Sequence, residues 1–419
     1  MTQAFYTGLS GLVTSQNAID VTADNLANIN TVGYRASTIE FASLFEDSLH
    51  STGDINPISN TIGVGSRVQA TSFSQESGSF KLTERSTDIA INGDGWFGVQ
   101  HGDNTQFTRA GNFLFDVNND LVTTDGLYVL GTMGGNIEGN SLSSVIDSIS
   151  LADVDKQEQL RFPKTLNYPA EPTTSAVFSG NIGVEDTTFV MSAGVIDANG
   201  DKNHLELSFT KNENQPKTGS LWDITAVTKT LDGETIYDTQ TGTISFDAEG
   251  GLISNSLTNI DNNGSTINID LGEGFGGMVS INTSATSSSS IVDGTIGGEL
   301  AGYDININAE VIATFTNGMQ SSVGKIALYH FQNDKGLERT GASNFIQTSN
   351  SGEPIFIQDK NGKNILGADI SNFKLESSNV KMEASLTELI ILQRSFDANS
   401  KSVSTADEMI QKAINMSAS

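Results

Sequence analysis

FYTGLSGLVTSQNAIDVTADNLAN (residues 5–28) and MEASLTELIILQRSFDANSKSVSTADEMIQKAI (residues 382–414) decide the fold when read together. In the first, apolar residues fall at Phe5, Leu9, Leu12, Ile19, Ala23 and Leu26, with Gln16 in the remaining slot. In the second they fall at Met382, Leu386, Leu389, Phe396, Val403, Ile410 and Ile414, with Gln393, Ser400 and Asp407 between them. Alternating steps of four and three put one stripe along each helix and call for a partner stripe. The bulk of the chain, of strand-like composition, lies between the two. The expected fold class is therefore mainly β with a terminal α-helical coiled coil, in a nested multi-domain arrangement.

Composition narrows the function. The 419 residues carry 22 Lys+Arg against 50 Asp+Glu, a formal net charge of −28. Such a balance argues against nucleic acid or an anionic membrane as partner. There is no cysteine, so disulfides and thiolate metal sites are excluded. No stretch approaches the ~18 consecutive apolar residues of a membrane span. A cleavable signal needs basic residues ahead of a contiguous apolar block. Here the first basic residue is Arg35, so export, if it occurs, is expected by a route other than general secretion.

The N-terminal helix is weak by itself. Gly8 and Gly11 loosen its first turns, and its charges are limited to Asp20 and Asp24. It is expected to order only by packing. Four layers follow: residues 1–30 with 380–419 as the coiled-coil domain, 31–75 with 356–379 as an extended linker region, 76–137 with 294–355 as a first β domain, and 138–293 as an outer inserted β domain. The last contains the alternations Leu205/Leu207/Phe209, Ile244/Phe246 and Ile267/Ile269/Leu271, the mark of half-buried strands.

Sites for chemistry are scarce. His50, His101, His204 and His330 are scattered without metal-ligand spacing. The Gly-x-Gly-x-x-Gly run at 272–277 is followed by strand-like sequence, so it reads as a turn and not as a dinucleotide loop. Asp116/Asn118/Asp120 and Asp197/Asn199/Asp201 imitate the start of a calcium loop. They lack its glycine at position 6 and its acid at position 12, and hairpin turns account for both. No enzymatic activity, catalytic residue, metal or cofactor is expected.

Several motifs then resemble one family. Leu9-Ser-Gly-Leu12 followed by Asn25-Leu-Ala-Asn28 and Gly33-Tyr34-Arg35 is similar to the N-terminal motif of the flagellar rod and hook axial proteins. Asp88 to Phe97, with Asn92-Gly93 at its turn, and Phe107 to Gly111 resemble their shared β domain, and Gly324 to Leu328, Gly336-Leu337 and Thr348 to Gly352 its return half. Leu375 to Val380 and Gln393-Arg394 resemble the C-terminal motif.

The resemblance implies a structural subunit that polymerises with itself into a curved, flexible tube carrying torque from rod to filament. The insertion at 138–293 points to the hook branch, and the alternative is a distal rod protein with an enlarged insert. It further implies type III export, a place in the hook/basal body outside the cell, and contacts with the rod, the hook cap and the hook–filament junction proteins. Neither nucleic acid nor membrane insertion is implied. The assembly residues would be the apolar stripe residues of the two helices.

Overall fold

The computed structural model describes residues 2–44, 46–48, 61–102 and 104–417. Two helices, α1 (Thr2–Ala27) and α2 (Met382–Ser417), pack together. Gly8 lies against Val403 and Gly11 against Asn399, so they run antiparallel.

From the helices the chain goes out and returns through the same layers. The strand Ser37–Ser43 pairs with Ser66–Phe73 in a hairpin beside α1. Phe80–Leu82 pairs with Lys374–Glu376, and Ile89–Asn92 with Asp369–Asn372. The segments read as extended linker, 31–75 and 356–379, thus carry strands. Their polar and short alternations hid this, because a narrow ladder buries little. Gly53 and Pro57 of the first segment lie outside the described residues.

Beyond this ladder, one large, mostly antiparallel sheet interleaves the outgoing and returning halves. Tyr128–Met133 lies between Trp96–His101 and Gln320–Ile326, with Gly131 opposite Ile326 and Val129 opposite Val99. Phe97, Phe113, Val129, Val311 and Val323 are fully buried in its core. Leu142, Leu160, Phe162, Leu166 and Tyr168 join that core. Packing therefore draws residues 142–168 into the first β body, although composition groups them with the insert.

The second core belongs to 176–278. Thr188–Ile196, Lys202–Lys211, Ser220–Thr230 and Ile236–Phe246 form a meander that continues to Leu252–Asn255. It packs on a second sheet built around Ser175–Asn181. The alternating Leu205, Leu207 and Phe209 all point into this sandwich, with Trp222 at its centre. The Gly-rich run closes a turn in which Met278 N–H donates to the Leu271 carbonyl. Truncating Trp222 to alanine should cost about 3–5 kcal/mol through the cavity it leaves. Calorimetry should show the loss in the transition of this body, with that of the Phe97 core unmoved.

Candidate assembly surface and its anchoring junction

The contact between the two helices is made by small residues. On α1 the buried positions Gly8, Ser15, Ala18, Thr22 and Asn25 step by threes, fours and sevens, with half-buried Gly11 completing the row. A methyl group added at Gly8 would stand 2.8 Å from Val403 Cγ2, and one at Gly11 would stand 2.8 Å from the Asn399 amide. The facing row on α2 is Leu389, Leu392, Phe396, Asn399, Val403, Ala406 and Ile410, all buried or half-buried.

The stripes expected from apolar spacing hold in part. Leu389, Phe396, Val403 and Ile410 are on the seam, every seventh residue. The alternate slots are occupied one residue earlier, by Leu392, Asn399 and Ala406, and Gln393, Ser400 and Asp407 are exposed. On α1 the row of small residues forms the seam, and the bulky stripe lies beside it. Phe5, Leu12, Ile19 and Leu26 are half-buried, while Leu9 and Ala23 are exposed. Glycine and serine allow backbones to approach closely, and the larger apolar side chains are left on the flanks.

Those flanks are apolar and open. Tyr6 is 64% exposed and Val13 53%, and on α2 Met382, Leu386, Ile390, Ile391 and Met409 are exposed as well. Tyr6, Leu9 and Val13 line a groove of about 430 Å³ with Leu44, Val64 and Val68 of the neighbouring hairpin arm. Monomeric proteins rarely leave such contiguous surface uncovered.

The helices are fastened to the β body by a buried junction. Asn25 clamps Ser37: its Nδ2 donates to the Ser37 carbonyl at 2.7 Å, and its Oδ1 accepts the Ser37 N–H at 2.8 Å. Asn28 Nδ2 donates to the Asp24 carbonyl and Oδ1 accepts from Thr31, which closes the end of α1. Tyr34 donates to Asp24 at 2.8 Å, and its ring lies under the Arg339 guanidinium, 4.4 Å away. Gly33 has φ +67°, and a Cβ there would sit 2.4 Å from the Ala110 nitrogen. Only glycine fits both constraints. Gly33→Ala should therefore destabilise the chain by more than the ~1 kcal/mol of an ordinary αL strain, as chemical denaturation would show.

At the centre, Glu376 stands between two arginines. Its Oε1 is 3.0 Å from Arg35 Nη2 and its Oε2 3.5 Å from Arg109 Nη1, and all three side chains are at most 4% exposed. Glu376 Oε1 also accepts the Gly78 N–H at 2.9 Å, and the Glu376 carbonyl accepts that of Gly33 at 2.8 Å. Arg35 donates to the Gln75 and Glu76 carbonyls. Arg109 lies over the Trp96 ring and donates to the Gly93 carbonyl at 2.8 Å. Burial, with the Arg35 charge beside it, lowers the Arg109 pKa to about 10. Asn379 completes the knot, donating to the Ser74 and Glu76 carbonyls and accepting from Ala36 N–H. One carboxylate thus ties the outgoing segment, the returning segment and the β body.

Asn92 ends a strand opposite Asp369 and Gly93 makes the turn, with φ +126°. Gln393 and Arg394 are exposed on α2. Sequence reasoning did not single out Arg109, Glu376, Arg339, Asn379 or Asn399. Arg109, Glu376 and Asn379 sit inside quoted motifs, and the available signal was a single charge in a motif otherwise uncharged, at Arg109 and Glu376.

The apparent calcium loops are turns. Five loops share one plan: residues 116–120, 197–201, 247–251, 306–310 and 359–363. In each, the side-chain oxygen of the first residue accepts the backbone N–H of the third and fifth. The fourth residue has positive φ: Asn119, Gly200, Gly250, Ala309 and Gly362. The acceptor oxygen, an aspartate carboxylate in four loops and the Asn306 amide in the fifth, is thus directed at its own backbone.

Among these acids Asp197 is fully buried. Burial pushes its carboxyl upward, but hydrogen bonds from Asn263, Asp201, Asn199 and Asn203 outweigh that and hold it below the usual range. A depressed folded pKa gives stability that is present above the unfolded value, near ~4, and lost as pH falls through the folded one. The outer body should accordingly melt earlier in acid. Asp197→Asn should flatten that dependence and lower stability at neutral pH, since its amide would meet the Asn203 and Asn263 donors.

Among the described residues no group of His, Asp and Glu could hold a metal ion, and no helix is long and apolar enough to cross a membrane. His330 is buried with Nε2 2.7 Å from the Leu366 carbonyl, His101 is exposed and His204 is half-buried; His50 lies outside the described residues.

Three family models match parts of the chain: flagella basal body rod protein at 5–35, flagellar hook protein FlgE/F/G D1 domain at 90–159, and flagellar basal body rod FlgEFG protein C-terminal at 373–416. The chain is 29% identical to the flagellar hook protein FlgE of Borreliella burgdorferi, with 99% of this chain and 100% of that one covered. It is 26% identical to the protein of the same name from Treponema pallidum and 25% identical to that from Escherichia coli, at the same coverage. Among solved structures, a Helicobacter pylori flagellar hook protein FlgE2 shares the fold, with a TM-score of 0.50 and 16% identity over 71% of this chain and 100% of that one.

Proposed function

We infer that this chain, a member of the flagellar rod and hook protein family, is a structural subunit of the flagellar hook, placed outside the cell in the hook/basal body. It polymerises into a tube. The observation that carries this reading is the terminal helix pair, which closes its own seam with small residues and leaves its bulky apolar residues uncovered. End-to-end likeness to hook proteins, the region 173–293 included, favours the hook over the distal rod.

The tube is curved and flexible and carries torque from rod to filament. Leu9, Tyr6 and Val13 of one subunit, with Leu386 and Ile390, contact neighbouring copies. Phe5, Leu12, Ile19, Ala23, Leu26 and Met382 contribute to the same surface, while Leu389, Phe396, Val403 and Ile410 hold the helices of one subunit together. Helical tubes need such heterologous, non-closing contacts. The β bodies form outer layers, divided near residue 173. Export runs through the type III apparatus, and the ends of the tube meet the rod, the cap and the hook–filament junction proteins. The chain has no catalytic role. Deleting its gene tests the assignment: cells should keep complete rods and lack hooks, and loss of the distal rod would favour the rod reading.

A further inference from the structure

We propose that Asn199 and Asn361 are sites of spontaneous covalent ageing, converting to aspartate and isoaspartate while Asn263 and Asn317, in the same Asn-Gly context, are protected by the fold. Asn-Gly occurs at residues 92, 199, 263, 317 and 361 with their following glycines. Such a pair is the most reactive context for imide formation, because glycine offers no side chain to hinder its own amide nitrogen.

The five differ in what holds the asparagine amide. Asn263 has φ +50° and donates from Nδ2 to Asp197 at 2.7 Å. Asn317 donates to the Ile296 carbonyl at 2.8 Å and accepts from Met319 N–H at 3.0 Å. Asn92 has an exposed side chain too, and only its backbone is held, in a strand opposite Asp369 with the next carbonyl bound by Arg109. Asn199 and Asn361 are exposed and occupy the third position of the shared turn. Of the asparagine backbones the turn uses the N–H, at 2.9 and 2.8 Å, and it also ties the N–H of the following glycine to the carbonyl of its first residue at 3.0 and 3.1 Å, a bond that opens before the nitrogen can attack. The Asn199 side chain has no hydrogen bond, and that of Asn361 reaches only Asp359. The following Gly200 and Gly362 are at φ +88° and +77°.

The chemistry balances without a cofactor. The glycine amide nitrogen, its proton taken by hydroxide or water, attacks Cγ of the asparagine. The C–N bond to the side-chain amine breaks, and ammonia leaves with a proton from solvent. Water then opens the cyclic imide at either carbonyl to give aspartate or isoaspartate. The isoaspartate product inserts a methylene into the main chain between the first and fifth residues of the turn and so disrupts the pair of hydrogen bonds to Asp197 or Asp359. The net change is one amide replaced by one carboxylate, in a chain already strongly acidic.

The test is incubation of the folded full-length chain at mildly alkaline pH, followed by peptide mass spectrometry of all five pairs, with a urea-unfolded sample in parallel. In the folded chain Asn199 and Asn361 should convert roughly tenfold or more faster than Asn263 and Asn317, whose half-buried amides must in addition be released from Asp197, Ile296 and Met319. In urea the five rates should converge. Asn199→Gln should abolish conversion in its turn and leave the melting temperature unchanged. Conversion of Asn263 or Asn317 as fast as Asn199 in the folded chain, or the same ranking folded and unfolded, would overturn the proposal.

Discussion

Glu376→Ala should unfold this chain at markedly lower denaturant, at a cost of about 3–5 kcal/mol, the penalty of leaving a buried charge without its partner. Two arginines share this one carboxylate, and both are at most 4% exposed. Removing it strands both cations and orphans the Gly78 N–H that Glu376 also accepts. Glu376→Gln keeps the shape and one acceptor, so it should recover part of the loss. The pair Lys381–Glu76, also at the start of α2, is the control. It closes at 2.8 Å but both side chains are about 70% exposed. Exposed pairs contribute little, and Lys381→Ala should leave the urea curve in place. If the two substitutions behave alike, the junction is not what fastens the helices to the β body.

Gly8→Leu with Gly11→Leu should strongly impair polymerisation while leaving both β bodies folded. Each added side chain enters a seam where even a methyl would stand 2.8 Å from Val403 or Asn399. Overpacking costs about 1–3 kcal/mol per site. Each subunit added to a tube must seat its helices, so the critical concentration should rise by roughly tenfold or more for each site. The same changes remove two helix-weakening glycines, which by propensity alone favours α1 by ~1 kcal/mol each. Propensity and packing therefore predict opposite signs, and a sedimentation assay against concentration separates them. Enhanced assembly would mean that the helices associate without this seam.

The nested plan was legible because two kinds of period survive at the ends and in the middle. The 3–4 step of residues 5–28 and 382–414 marks helices, and the strict alternation of Leu205, Leu207 and Phe209 marks a sandwich strand. The seam itself was not legible from hydrophobicity. Gly8, Gly11 and Ser15 carry no apolar signal and Ala18 falls outside the four-three stripe, yet close approach selects them, and Leu389 is compatible with either Leu392 or Gln393 as its companion on the seam. A one-residue choice there decides which face meets α1.

The junction was half legible. The motif residues Asn25, Gly33 and Tyr34 were named, and each has a structural reason: a clamp on Ser37, a positive φ beside Ala110, and a ring under Arg339. Their charged partner Glu376 lies more than 340 positions away in the sequence from Arg35, and no local pattern links the two. The strand ladders of 80–82 with 374–376 were missed for the same reason, since three-residue strands show no period. The reach of the first core into 142–168 was hidden because composition does not change where packing does.

Electron microscopy of the purified chain, concentrated beside a form lacking residues 2–27, addresses the central claim most directly. The full chain should form tubes in which the helix pairs touch neighbouring copies through Leu9, Val13 and Ile390. The shortened form should stay dispersed with its β bodies folded. Tubes of the same diameter and order from the shortened form would contradict the account, because assembly would then reside in the β bodies alone.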